Sequence, residues 1–270
     1  MRIPIYYINL SSRTDRRAFM EEQFARLGLE AERVEAVTPA DIPADDIARY
    51  CDNTRPTYLR PNQLACSMSH EKVWRAMLEA GHERAVVMED DALLSSLLPA
   101  FLADLEGVPF DVLRFEAPVR RIRVFPPVAH VGPGIALRPF RSTLSGASGY
   151  VIGANAARVL LGHPALRVLA GDLVLYGALA APAKDFVRLH SDPALCIQVG
   201  DISQDNRRGG IGWSDLNSVK MAHIFAQRHP ILHFLIRTRR GIVDGVRNAV
   251  DHLVNLPRGI AKETIRFRAE

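Results

Sequence analysis

The sequence predicts an α/β protein with a Rossmann-type, mostly parallel central sheet, followed by a basic and mainly helical C-terminal segment. Three observations carry this prediction. Apolar β-type runs alternate with stretches of helical period through residue 204, the order that builds a parallel sheet covered by helices. Several of those runs are apolar on consecutive residues, as strands buried on both faces must be. Beyond residue 205 the pattern changes to a long amphipathic stretch rich in arginine. We therefore divide the chain into a domain over 1–204 and a segment over 205–270.

Pro4 to Leu10 is dense in Ile and Tyr and reads as the first strand. From Asp15 onward, Phe19, Met20, Phe24 and Leu27 recur at helical spacing, and Gly28 supplies the stop. A second strand is expected over Glu32 to Val37. Residues 38–61 hold four prolines among many polar residues and predict a long surface connection. Asn62 stands where a helix N-cap belongs, and Leu64, Met68, Val73, Ala76 and Met77 carry that helix to about Ala80, before Gly81. Arg84 to Met88 is the next strand and runs directly into three acids. Ser96 to Leu105 reads as helix and Phe110 to Phe115 as strand. Residues 117–144, rich in Pro, Arg and Val, read as extended loops or a hairpin. Tyr150 to Ile152 is a strand, and helices are expected over Asn155 to Leu161 and Gly171 to Ala181.

Composition narrows the class of function. No run approaches the ~18–20 apolar residues that span a bilayer. The short apolar opening, ending in Arg13-Thr14-Asp15-Arg16-Arg17, lacks the features of an export signal. Three cysteines, odd in number and far apart, argue against a disulfide framework and for a reduced, cytoplasmic setting. The net charge of +4 is unevenly spread: from Asp215 to the end, ten Lys/Arg against five Asp/Glu give +5. Interest in anionic surfaces is thus expected in the tail.

The chemistry centres on Glu89-Asp90-Asp91. In open α/β sheets ligands gather beyond the carboxyl ends of strands, and this triplet follows a strand directly. Adjacent carboxylates repel unless a cation or donors offset them, and Mg²⁺ or Mn²⁺ bound through carboxylates and phosphate oxygens does so. A solvated acidic turn is the competing reading. Asn9, Arg13 and Arg16 cluster where the first strand meets the first helix, a position suited either to anion recognition or to a solvated helix start. Ser69 and His70 lie in the second long helix, with Trp74 one turn on.

Taken in order, Ile8-Asn9-Leu10 with Arg13, Asp15 and Arg16, then Leu59 through Ser69-His70 with Trp74, then Val86-Val87-Met88-Glu89-Asp90-Asp91, and finally Gly149-Tyr150-Val151-Ile152 with Ala156-Ala157 and Leu160-Leu161, resemble glycosyltransferase family 25. These are the lipooligosaccharide biosynthesis enzymes related to the procollagen galactosyltransferases, and the resemblance covers roughly residues 3 to 200. One departure is clear. Where the family carries a Gly-Glu-Ile-Gly-Cys-like run before Ser-His, this chain reads Asn62-Gln63-Leu64-Ala65-Cys66, without the acid.

The resemblance implies a GT-A-like fold and metal-assisted, inverting transfer of a sugar, commonly galactose or glucose, from a UDP-sugar donor to a glycan or glycolipid acceptor. By analogy with the Asp-X-Asp motif, Asp91 is the expected metal ligand, for Mn²⁺ or Mg²⁺. Glu89 and Asp90 are assigned to the donor, with Asn9, Arg13, Arg16, Ser69 and His70 lining the same crevice. Asp172, an acid amid apolar residues, is the candidate catalytic base and equally an N-cap for its helix. His190 is either a further metal ligand or a surface histidine.

In the tail, Ile242, Val243, Val246, Ala249, Val250, Leu253 and Val254 mark one helical face beside Arg237, Arg239 and Arg240. That face either packs on the catalytic domain or lies on an anionic membrane surface. Nucleic acid is not expected as a partner, because stacking aromatics are scarce there. Two rivals to the enzyme reading are a family member that binds glycan or nucleotide without turnover, and a membrane-surface scaffold.

Overall fold

The computed structural model describes residues 3–202, 210–212 and 223–270. The chain opens with β1 (Ile5–Asn9), α1 (Thr14–Leu27) and β2 (Glu32–Glu35). It continues through α2 (Ala44–Tyr50) and α3 (Pro61–Glu79) into β3 (Arg84–Glu89), β4 (Ala92–Leu94), α4 (Leu98–Ala103) and β5 (Val112–Arg114). Next come β6 (Ile122–Val124), β7 (Ala129–Val131), β8 (Ile135–Pro139), β9 (Gly149–Gly153), α5 (Ala154–Gly162) and α6 (Gly171–Tyr176). The rest comprises β10 (Arg188–Asp192), β11 (Cys196–Gln198), α7 (Val199–Ile202), α8 (Ile224–Arg228), α9 (Pro230–Asn255) and β12 (Ala261–Glu263).

Eight strands form one sheet in the order β2-β1-β3-β9-β5-β10-β8-β7. The pairings set six of them running one way, with β9 and β8 reversed. The α/β class with a mostly parallel sheet is therefore as expected. The two reversed strands have local causes. β8 follows β7 through a turn with Gly132 and Gly134 at positive φ, and β9 inserts between β3 and β5.

The strands are apolar on consecutive residues because both faces are covered. In β1, Ile5 and Tyr7 join the cluster beneath α1 and α4, with Met20, Phe24, Met88 and Leu113. Tyr6 and Ile8 face the other way, toward Val73, Trp74, Met77, Tyr150 and Leu160 beneath α3 and α5. Two-residue side-chain alternation divides the strand between these cores, and burial of each such residue stabilises by ~1.5–3 kcal/mol.

Several elements differ from the sequence reading. The cap of α3 is Arg60, not Asn62: Pro61 occupies the first helical position, where its fixed φ and missing N–H cost nothing. The loop over 38–61 contains a helix, α2, packed over a small third core of Ile42, Cys51, Leu59, Leu64 and Ala65. Asp172 does not cap α6; Ala170 does, and the helix stops at Tyr176 instead of reaching Ala181.

The division at 204/205 falls outside the described residues. Past it, α9 is a 26-residue helix whose only buried residue is Asn255. The packed reading of its apolar face is overturned, since Ile242, Val246 and Leu253 are 62 %, 58 % and 64 % exposed. Polar contacts hold the helix from its other side: Arg123 donates to the Asn248 carbonyl at 2.8 Å and, with Arg141, pairs with Asp251. Beyond α9 the chain returns to the domain. β12 pairs antiparallel with β6, and Ile260 and Ile265 are buried. Among the described residues no helix is long and apolar enough to cross a membrane.

Candidate functional site

Because β1, β3 and β5 run the same way, their carboxyl ends meet along one edge of the sheet. The edge collects Asn9 from β1, Glu89-Asp90-Asp91 from β3 and Glu116 just past β5. A short connection from α3 to β3 makes the helix antiparallel to the strand, so α3 begins at this edge, and Cys66 and His70 of its first half, one turn apart, overhang Glu89.

The three acids of the triplet have different surroundings. Asp90 is buried and fully engaged: Asn9 donates to Oδ2 at 2.8 Å and Arg16 to Oδ1 at 2.6 Å. It ties the first strand and helix to the end of β3. Burial still raises its pKa above the usual value, with Arg16 and Asn9 opposing. Glu89 accepts from Ser148 Oγ and Gln198 Nε2 at Oε2, both at 3.2 Å, and meets His70 Nε2 at 3.2 Å through Oε1. Burial works against its ionisation, but these hydrogen bonds from His70 and Ser148, with the Arg16 charge, hold its pKa below the ordinary carboxylate value. Asp91 has one oxygen 3.3 Å from Arg16, while Oδ1 is buried without a hydrogen-bond partner among the described residues. Burial, then repulsion from Glu89, pushes its pKa up to about 8.

Behind the triplet, Glu116 is buried and held by the Ser148 N–H at 2.9 Å and the Arg114 guanidinium at 3.0 Å. Its pKa is pushed up to about 7 by burial, even with Arg114 opposing and Glu89 adding repulsion. Gly146, at φ +80°, brings its backbone against this carboxylate, and an added Cβ would lie 2.6 Å from Oε1. Glu116 is not among the expected site residues, although it shares the triplet's sequence signal, an acid directly after an apolar strand.

Asp172 stands near the same acids. Its Oδ2 accepts from the Gly146 N–H at 3.2 Å, and its Oδ1 is buried and unpartnered among the described residues. Arg114 donates to the Ser145 and Gly146 carbonyls at 2.9 and 2.7 Å and so fixes the loop that faces Asp172. Burial raises the Asp172 pKa, with Glu89 adding to it. That is the direction a general base needs.

Other expected site residues take different places. Arg13 forks onto Asp15 at 2.9–3.0 Å and donates to the Gly210 carbonyl. Ser69 is buried, accepts from the Val37 N–H and donates to the Ala65 carbonyl, so it stitches β2 to α3. His190 is not a surface residue. It is completely buried on β10, with Nδ1–H donating to the Ser191 carbonyl at 2.7 Å and Phe140 edge-on at 6.0 Å. Burial and the Arg114 charge push its pKa down to about 3, leaving a neutral ring. Among the described residues it joins no group of three ligand atoms, and cationic neighbours disfavour a metal there.

Gln63, where the family carries an acid, accepts from the Arg60 N–H at 3.0 Å and closes the capping box of α3. Gln fills that position as well as Glu.

The model of glycosyltransferase family 25 (LPS biosynthesis protein) matches residues 2–174. The chain is 24 % identical to the lipooligosaccharide biosynthesis protein lic2B of Haemophilus influenzae over 73 % of this chain and 76 % of that protein. It is 29 % identical to the lacto-N-neotetraose biosynthesis glycosyltransferase LgtB of Neisseria gonorrhoeae, covering 72 % and 73 %. Among solved structures, a glycosyltransferase involved in glycosylation of the major capsid of PBCV-1 aligns with a TM-score of 0.42 at 10 % identity, over 74 % of this chain and 93 % of that one.

Proposed function

The chain belongs to glycosyltransferase family 25, and from that premise we propose that it transfers a hexose from a UDP-sugar to a hydroxyl of a bacterial lipopolysaccharide or lipooligosaccharide core. The observation that carries the reading is the excess of acids at the sheet edge among the described residues. Glu89, Asp90, Asp91, Glu116 and Asp172 converge there, and among the described residues Arg16 and Arg114 are the guanidiniums bonded to them. A hard divalent cation fits this arrangement, because Asp91 Oδ1 is buried without a hydrogen-bond partner among the described residues, and burial and repulsion from Glu89 disfavour the bare carboxylate. Asp91, with Glu89 beside it, would hold Mn²⁺ or Mg²⁺. When bound, such an ion offsets the negative charge that the leaving diphosphate gains.

The protein's own groups do the rest. Arg16 and Asn9 fix Asp90, and with it the end of β3. Asp172, its pKa raised and its Oδ1 without a hydrogen-bond partner among the described residues, takes the proton from the acceptor hydroxyl, which then displaces the nucleotide with inversion. The exposed apolar face of α9 is matched to an anionic membrane, with Arg237, Arg239, Arg240 and Arg247 exposed on the same helix. A lipid-linked acceptor would be met there.

A panel of UDP-, GDP- and CMP-sugars, assayed for Mn²⁺-dependent binding and slow donor hydrolysis, tests the reading. Saturable binding of a UDP-sugar is expected, and binding of none of the donors overturns it. Unchanged transfer by Asp172→Asn would remove Asp172 as the base.

A further inference from the structure

We propose that Cys66, His70 and Glu89 form a second cation site, for a borderline-soft divalent ion of the zinc class, beside the oxygen site at Asp91. His70 Nε2 lies 3.2 Å and Cys66 Sγ 4.0 Å from the same Glu89 oxygen, and all three donor atoms lie within 4.8 Å of one another. Zinc bonds of ~2.0–2.3 Å in a tetrahedron set donor–donor edges of roughly 3.3–3.7 Å. The three atoms therefore already approximate one face of such a site. Cys66 and His70 achieve this because an i, i+4 pair projects from one side of α3.

The donor chemistry separates this site from its neighbour. Thiolate and imidazole favour zinc over Mg²⁺ and Mn²⁺, whereas the carboxylate oxygen of Asp91 favours the hard ions. The surroundings are those of a supported ligand set. Tyr150 Oη sits 3.0 Å from His70 Nδ1 and is itself held by Trp74 Nε1–H at 2.9 Å. Ser148 and Gln198 hold the other Glu89 oxygen. Such partners fix ring tautomer and carboxylate orientation. Three protein ligands leave a fourth position open to water or substrate. On binding, the Cys66 S–H gives its proton to solvent as the sulfur–metal bond forms. The His70 proton moves from Nε2 to Nδ1, where the Tyr150 oxygen accepts it, so one proton leaves per ion.

The site shares Glu89 with the proposed oxygen site at Asp91, but its test reads metal binding alone and does not depend on sugar transfer. The full-length, metal-stripped protein is titrated with Co²⁺ as a spectroscopic probe, then with Zn²⁺ in competition, with proton release followed in weak buffer. One Co²⁺ per chain with a near-ultraviolet thiolate charge-transfer band, displaced by Zn²⁺, is expected. Cys66→Ser should abolish the band, and Tyr150→Phe should weaken Zn²⁺ by about 10- to 100-fold. Asp91→Asn should leave the band in place. No band in the unaltered protein, or a band that persists in Cys66→Ser with circular dichroism unchanged, overturns the proposal. Failure of every sugar nucleotide to bind would leave these outcomes untouched.

Discussion

At the end of β3, charge has been taken out of water; along α9, hydrocarbon has been left in it. Both run against the usual distribution of residues in a soluble fold, and the two regions differ in how they are stabilised. Asp90 is buried with two donors upon it, and Asp91 beside it keeps one oxygen without a hydrogen-bond partner among the described residues. α9 is held at Asn248 and Asp251 while Ile242, Val246 and Leu253 face outward. The first region is a buried edge where acids outnumber the guanidiniums bonded to them among the described residues. The second is a surface short of an apolar partner. Under the proposed function a cation completes one and a lipid surface the other.

The sharpest way to break the contrast is to remove the strut of the acidic edge. Arg16→Ala leaves Asp90 and Asp91 buried without their guanidinium and should destabilise the metal-free protein by ~3–5 kcal/mol, read as a fall in denaturant midpoint. Asp91→Asn removes charge without removing volume. Folding should survive, while Mn²⁺-dependent donor turnover falls at least about 100-fold, the several kcal/mol of a metal contact at ~1.36 kcal/mol per decade. Turnover equal to the unaltered protein would move the metal away from Asp91.

The pH dependence is a subtler probe of the same region. In the fold the pKa of Asp91 is raised to about 8 and that of Glu116 to about 7, against ordinary values of 3.8 and 4.5. At low pH both states hold the protons, and the stability from these groups is fully present. As pH rises the unfolded chain ionises first, so that stability is lost progressively up to about pH 8. The melting temperature of metal-free protein should therefore fall between about pH 5 and pH 8. Mn²⁺ should restore more at the upper end, and Asp91→Asn should flatten the slope.

The smallest stability effect is expected at α9. Val246→Asp lies on an exposed face and should change unfolding by no more than ~0.5 kcal/mol. Co-sedimentation with vesicles of anionic lipid should nonetheless be lost. Retained sedimentation would sink the membrane reading.

The alternation of apolar runs and helical periods determined the α/β class, because strands covered on both faces cannot be written any other way. Placement of Glu89-Asp90-Asp91 at a strand end likewise made the acidic edge legible, and the ordered motifs around it made the family legible. Tertiary structure decided what each side chain does there. Sequence could not show that Ser69 turns inward to the Val37 N–H, or that Arg16 is spent on Asp90 and Asp91. Nor could it show that His190 lies buried away from solvent, or that Glu116 and Asp172 come up beside the triplet from later parts of the chain. Those facts depend on which strands become neighbours, through contacts between distant residues that no local pattern encodes. The same holds for the tail. An amphipathic period says that a helix has an apolar face, but only the packed molecule shows that nothing among its described residues covers it.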